Sequence, residues 1–283
     1  CKWKASCSTY CSCKADGNPS MIDTVTLNCA GQTIALECQW LFAERSQAPL
    51  LVFLHEGLGS ISMWRDYPQR LCAATGYRGL VYSRHGYGQS TPRQPDTRWA
   101  PDYLHQESWD VLPALLDALG VDAPCWLFGH SDGGSIALLF AARFPQRTRG
   151  IIVLAPHIFV EEVTLAGIRA AREGYQQGGL RQRLARHHAD PDSPFWGWHH
   201  AWLNPAFRDW NLEQDIAEVA CPLLAIQGED DEYASMAQID GIQRIVPHTQ
   251  LLKLAHCGHS PHRDQPEAVS AAVQAFLAAH SPI

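Results

Sequence analysis

The sequence predicts an α/β fold: a mostly parallel sheet of eight strands, helices on both faces, and a helical cap inserted after the sixth strand. Three observations predict it. Short apolar runs bounded by Gly, Pro or charge recur along the chain, as expected of strands buried on both faces of a parallel sheet. Helical patterns separate them, and strand–helix alternation produces such sheets. One interval, residues 157–220, breaks the alternation.

The elements follow in order. Val25, Leu27 and Cys29 alternate with Thr24, Thr26 and Asn28, and after Ala30-Gly31-Gln32 the run Thr33 to Trp40 continues the pattern. A short turn between two such runs predicts an antiparallel pair. The buried strands are Leu50 to Leu54, Gly79 to Tyr82, Cys125 to Phe128, Ile151 to Leu154, Leu223 to Ile226 and Leu251 to Leu254. Leu104, Ser108, Leu112, Leu115, Leu116 and Leu119 share a helical face that Gly120 ends, with Pro113 against a straight helix. Val269, Val273, Phe276 and Leu277 mark a C-terminal helix after Pro266. The interval 157–220 holds helix-like pieces rich in Arg, His and Trp, punctuated by Pro191, Pro194 and Pro205. The domains expected are a core from 21–156 and 221–283, a cap at 157–220, and a tail at 1–20 with Met21 as a candidate natural start.

With 283 residues, 46% hydrophobic and 18% charged, the chain has the composition of a globular protein. Its net charge of -7, without a Lys/Arg stripe, argues against a nucleic-acid partner. No apolar run reaches the roughly 20 residues that span a bilayer, so no membrane partner is expected. Of the ten cysteines, Cys29, Cys38, Cys72, Cys125, Cys221 and Cys257 lie mostly in apolar contexts and are expected as buried free thiols. Cys1, Cys7, Cys11 and Cys13 crowd the polar tail, and their spacing matches no zinc finger or ribbon. No signal or anchor and many unpaired cysteines point to the cytoplasm. His187-His188 and His199-His200 are adjacent and do not share a helix face, so no metal site is expected.

The most informative run is Cys125 to Gly134, where a strand reaches Gly129-His130-Ser131-Asp132-Gly133 and then enters a helix. The turn is so tight that side chains at Gly129 and Gly133 would collide. It lifts the Ser131 hydroxyl clear of the sheet at a helix N-terminus. A serine nucleophile needs a base and an acid that orients the base. Both are available beyond later strands: the acidic cluster Glu229-Asp230-Asp231-Glu232 and the segment His256-Cys257-Gly258-His259-Ser260-Pro261-His262.

This order of serine, acid and histidine on successive strand ends resembles the α/β-hydrolase fold over residues 21 to 280. The marks are the elbow around Ser131, Gln227-Gly228-Glu229-Asp230-Asp231, Gly258-His259-Ser260-Pro261, and the loop Arg84-His85-Gly86-Tyr87-Gly88-Gln89-Ser90. The resemblance selects Asp231 as the acid and His259 as the base. It implies an oxyanion hole from the Asp132 amide and one in Leu54-His55-Glu56-Gly57-Leu58-Gly59. There Gly57 matches, but Glu56 replaces a usual glycine and leaves the Glu56 and Gly57 amides as alternatives. Glu56 either braces the loop or meets a cationic substrate. Asp132 is expected to complement the helix N-terminus rather than touch substrate.

The resemblance implies a serine carboxylesterase without metal or organic cofactor, acting on a small to medium apolar small-molecule ester. Glu56, His130, Trp196, Trp198 and Trp202 are the candidate substrate contacts. The tryptophans and Phe195 and Phe207 either line the acyl pocket or form the cap's own core. The alternatives are a C–C bond hydrolase of vinylogous diketones and a non-catalytic small-molecule-binding protein on the same scaffold. The sequence leaves oligomeric state open.

Overall fold

The computed structural model describes residues 20–29 and 31–280. The cysteines of the tail, Cys1, Cys7, Cys11 and Cys13, lie outside the described residues. Among the described residues eight strands form one sheet: β1 (Ser20–Cys29), β2 (Gln32–Leu41), β3 (Leu50–Leu54), β4 (Arg78–Tyr82), β5 (Cys125–His130), β6 (Thr148–Leu154), β7 (Leu223–Gly228) and β8 (Gln250–Leu254). Their order across the sheet is β1-β2-β4-β3-β5-β6-β7-β8. β1 pairs antiparallel with β2 and β2 with β4; every later pairing is parallel. The sheet is therefore mostly parallel, as its continuous apolar strands predict.

Among the described residues ten α-helices surround it: α1 (Tyr67–Thr75), α2 (Tyr103–Gln106), α3 (Leu112–Ala118), α4 (Asp132–Arg143), α5 (Glu162–Gln176), α6 (Leu180–Leu184), α7 (Asp192–Trp202), α8 (Ala237–Ile245), α9 (Pro261–Asp264) and α10 (Pro266–His280). Alternate residues of each strand supply two separate cores. Val52, Leu127, Val153 and Ala225 pack in one core with Leu115 of α3, Ile136 of α4 and Ile242 of α8. Phe53, Phe128, Ile152 and Ile226 pack in the other with Leu71 of α1 and Val273 of α10. Both faces are thus covered by helices.

The helix expected around Leu104 to Leu119 is interrupted. Residues Glu107–Val111 widen into a π-turn between α2 and α3. Pro113, the second residue of α3, has no N–H to give and would crowd the carbonyl four residues back, and the wider turn accommodates both.

Between β6 and β7 lie α5, α6 and α7 and two short 3₁₀ turns, in the interval where the sequence shows no strand. Part of this segment is its own aromatic core. Tyr175 stacks on Phe195 at 3.7 Å, and Phe207 stacks on Trp210 at 5.0 Å and meets Trp202 at 4.9 Å. Polar ties fasten it to the loops after β3 and β4. His188 Nδ1 accepts the Gly88 N–H at 2.9 Å, so its Nε2 carries the proton and donates to the Leu58 carbonyl at 3.0 Å. Ser193 takes the Arg93 N–H at 2.8 Å and donates to the Gly86 carbonyl at 2.9 Å.

Among the described residues no helix is long and apolar enough to cross a membrane. Cys29, Cys38, Cys72, Cys125 and Cys257 are buried free thiols, and Cys221 is free and half-buried.

Candidate active site

The loops after β3, β5, β6, β7 and β8 all leave the same edge of the sheet, because those five strands run parallel. Ligands and reactive groups gather at that edge in folds of this kind. Between β5 and α4, Ser131 adopts φ 53° and ψ −118°, a conformation that L-residues rarely hold. Such strain costs about 1–3 kcal/mol and persists only where its surroundings enforce it. The two glycines permit the turn: a Cβ on Gly129 would sit 2.2 Å from the Gly133 carbonyl oxygen, and one on Gly133 would sit 2.0 Å from the Leu54 carbonyl oxygen. The collision is with backbone, which cannot swing aside.

Ser131 Oγ lies 2.9 Å from His259 Nε2. His259 Nδ1 lies 2.9 Å from both carboxylate oxygens of Asp231. Gly228 brings the last two loops together, since a Cβ there would fall 2.0 Å from the Cys257 carbonyl oxygen. Asp231 also accepts the N–H groups of Tyr233 at 2.8 Å and Ala234 at 3.1 Å, and its side chain is fully buried. Burial raises its pKa, but the His259 contact and the Tyr233 N–H outweigh that and hold the carboxyl below its ordinary range. His259 is held from behind as well, donating its backbone N–H to Glu232 Oε2 at 3.1 Å. A hydroxyl, an imidazole and a buried carboxylate in this chain can move a proton from oxygen to nitrogen and stabilise the resulting charge.

A cavity of about 220 Å³ opens over Ser131. Its walls include Gly57, Ile168, Trp198, Trp202, Tyr233 and His157. Gly57 fits there because a Cβ would strike the Trp198 indole at 2.4 Å. Asp132 and Gly57 both border the cavity. The Asp132 amide is the first of α4, among the N–H groups that a helix cannot satisfy itself. Its carboxylate turns elsewhere, accepting from Tyr103 Oη at 2.9 Å and from Arg84 Nη2 at 3.4 Å, both buried.

The five candidate substrate contacts separate. Trp198 and Trp202 line the cavity, but Trp196 points from the other side of α7 and lines a different cleft with Arg172 and His200. The reason is helical: residues four apart share a face, and Trp196 is out of phase with Trp198 and Trp202. Glu56 borders the cavity. His130 does not; it is buried at 1% exposure behind His259, with Nε2 2.7 Å from the His259 carbonyl oxygen. A carbonyl only accepts, so this nitrogen donates. His130 Nδ1 faces Glu56 Oε2 at 3.6 Å, an ion-pair distance, and Arg263 Nη2 approaches Glu56 Oε1 at 3.4 Å. Burial raises the Glu56 pKa, but His130 and Arg263 pull it well below the usual carboxylate range. The expectation that His130 meets substrate thus does not match its place: it braces the His259 loop, and Glu56 braces it in turn.

Sequence reasoning passed over His157, which follows β6 on the reactive edge and faces the cavity. Its position just beyond a strand end was the available signal. It also passed over Arg263 at the mouth and over the Arg84–Tyr103 grip on Asp132. Among the described residues, no three His, Cys, Asp or Glu side chains are grouped to hold a metal ion.

Comparison with known proteins agrees with this architecture. The profile described as "Alpha/beta hydrolase family" matches residues 51–272. The mouse (Mus musculus) sn-1-specific diacylglycerol lipase ABHD11 is 26% identical over 261 residues, covering 81% of this chain and 81% of that protein. The 2-hydroxy-6-oxo-6-phenylhexa-2,4-dienoate hydrolase of Burkholderia cepacia is 23% identical over 262 residues, 83% of this chain and 90% of the relative. Among solved structures, a thermophilic esterase from Thermogutta terrifontis superposes with a TM-score of 0.71 at 17% identity, over 92% of this chain and 100% of the other. The enol-lactonase from Burkholderia xenovorans LB400 gives 0.68 at 20% identity, over 90% of this chain and 100% of the other. At such identities the structural likeness speaks to the fold.

Proposed function

The chain belongs to the alpha/beta hydrolase family, and from that premise we propose that it is a serine hydrolase that cleaves a small to medium apolar carboxylic ester. The observation that carries this reading is the unbroken Ser131–His259–Asp231 chain, 2.9 Å at each step, beneath a cavity walled by Trp198, Trp202 and Ile168. Ser131 Oγ attacks the acyl carbon while His259 Nε2 takes its proton, and Asp231 steadies the imidazolium. The amides of Asp132 and Gly57 stabilise the oxyanion. Collapse expels the alcohol, which takes the proton back from His259. Water, deprotonated by His259, then attacks the acyl-enzyme and releases the acid. The helices between β6 and β7 serve as a cap that keeps bulk water from this sequence, and the protein works in the cytoplasm on a small molecule.

Hydrolysis of p-nitrophenyl esters of graded acyl length, with Ser131→Ala in parallel, tests the reading. Turnover that vanishes in the variant and peaks at a short to medium acyl chain is expected. A rate that Ser131→Ala leaves unchanged would sink it.

A second reading is favoured by the dienoate hydrolase among the relatives: a C–C bond hydrolase of vinylogous diketones with the same three residues. Bleaching of a coloured ring-fission dienoate, faster than turnover of any simple ester, would select it.

A further inference from the structure

The polar groups around the cavity are mostly committed within the protein. Thr164 donates its hydroxyl to the Tyr233 carbonyl at 2.6 Å, Glu232 accepts from His259, and Glu56 is tied to His130 and Arg263. His157 differs. It is 2% exposed, and its Nδ1 is sealed from the cavity without a hydrogen-bond partner. Its ring stands edge-on to Trp202 at 5.0 Å and 5.7 Å from the His259 ring. An apolar side chain would fill that volume without leaving a polar group unsatisfied.

The ring is also built in place. Ser135 donates to the His157 carbonyl at 2.6 Å and receives the His157 N–H at 3.3 Å. Ser135 lies on α4, one turn from Ser131, so ring and nucleophile share a rigid support. Burial, then the neighbouring His259, push the His157 pKa down to about 3, so the ring is neutral and carries one proton. A sealed N–H without an acceptor is less tolerable than a bare lone pair, which assigns the proton to Nε2, the nitrogen left for the cavity.

We propose that His157 selects the substrate: its Nε2–H donates a hydrogen bond to an oxygen other than the carbonyl that Ser131 attacks. The preferred esters then carry a second acceptor oxygen (keto, ether or a further ester carbonyl) on an otherwise apolar skeleton. This rests on the ester-hydrolase reading of the same site.

Matched pairs test it: p-nitrophenyl 4-oxopentanoate and 5-oxohexanoate against pentanoate and hexanoate, and 2-methoxyethyl against butyl butanoate. The readout is the ratio of kcat/KM within each pair, taken in one preparation, so a poorly folding variant still reports. In at least one pair the wild-type ratio favours the oxygenated ester by about tenfold more than that of His157→Phe. His157→Gln, which keeps an N–H donor, retains part of the preference. Ratios equal in wild type and His157→Phe for every pair overturn the proposal.

A binding arm separates this from failure of the ester reading. Ethyl 4-oxopentanoate and ethyl pentanoate, and the two butanoates, are titrated into Ser131→Ala, with quenching of Trp198 and Trp202 fluorescence as the signal. Tighter binding of an oxygenated member, lost when His157→Phe is added, supports His157 even where no ester is turned over. Equal binding within both pairs overturns it.

Discussion

Asp231 and His259 meet at 2.9 Å through both carboxylate oxygens, whereas Glu56 and His130 stand 3.6 Å apart a short way across the same edge. Both pairs join a carboxylate held below its ordinary range to an imidazole. Their third members differ. His259 Nε2 faces the Ser131 hydroxyl, which can give up a proton. His130 Nε2 faces the His259 carbonyl, which can only receive a hydrogen bond. The same two residue types are thus placed against a hydroxyl that can give up a proton in one case and against a carbonyl that can only accept in the other, and the group at the end of the chain decides what each pair can do.

Substitutions can break or sharpen this contrast. Ser131→Ala removes the group that defines the first pair and is expected to lower kcat by about a million-fold on a p-nitrophenyl ester. Asp231→Asn keeps the shape but loses the charge that holds the imidazole. A fall of about ten-thousand-fold in kcat is expected, measured on protein with unchanged circular dichroism. Gly133→Ala leaves both pairs intact but drives a Cβ into the Leu54 carbonyl. Displacing the nucleophile by even about 1 Å costs about a hundredfold in kcat/KM; activity within threefold of wild type would show that the turn relaxes.

Glu56→Gln is the sharpest discriminator. As a brace it is expected to cost about tenfold in kcat, with about 1–3 kcal/mol of stability lost on chemical denaturation because the buried contact between Glu56 and His130 is weakened. A loss as large as that of Asp231→Asn would make both pairs chemical and erase the contrast. The smallest effect on turnover of a simple ester concerns His157. Its folded pKa of about 3 lies below the ordinary histidine value, so the unfolded chain binds the extra proton between about pH 3 and 6.5. Stability from this group is therefore fully present above that window and is lost as pH falls through it. His157→Phe should flatten the dependence of Tm on pH there; an unchanged slope would mean that the ring is not held neutral.

Much of this was legible beforehand. The first two strands emerge where polar and apolar residues alternate, and the other six within a few residues of the apolar runs, since a strand buried on both faces must be apolar throughout. β8 departs from that expectation, because it lies at the sheet edge with Gln250 and Lys253 exposed. The elbow is written in Gly129 and Gly133, which a tight turn demands locally. The π-turn before Pro113 was only half legible: proline announces a break, but not whether the helix ends or widens. Trp196 could not be told from Trp198 without the phase of α7 against the cavity. His130 lay next to the nucleophile in sequence and was expected at the substrate, yet the strand turns its side chain beneath the His259 loop.

Sequence by itself thus determined the order of elements, the strained serine and a short choice of acids and histidines, because periodicity, glycine and chain order are local properties. Only the tertiary structure decided which members of that choice meet. Ser131 and His259 are 128 residues apart and touch because β5, β7 and β8 end at one sheet edge. It decided, too, that His259 faces the serine hydroxyl, His130 faces a carbonyl and His157 borders the cavity. Those roles depend on burial and on the third atom in each chain, which no run of neighbouring residues encodes.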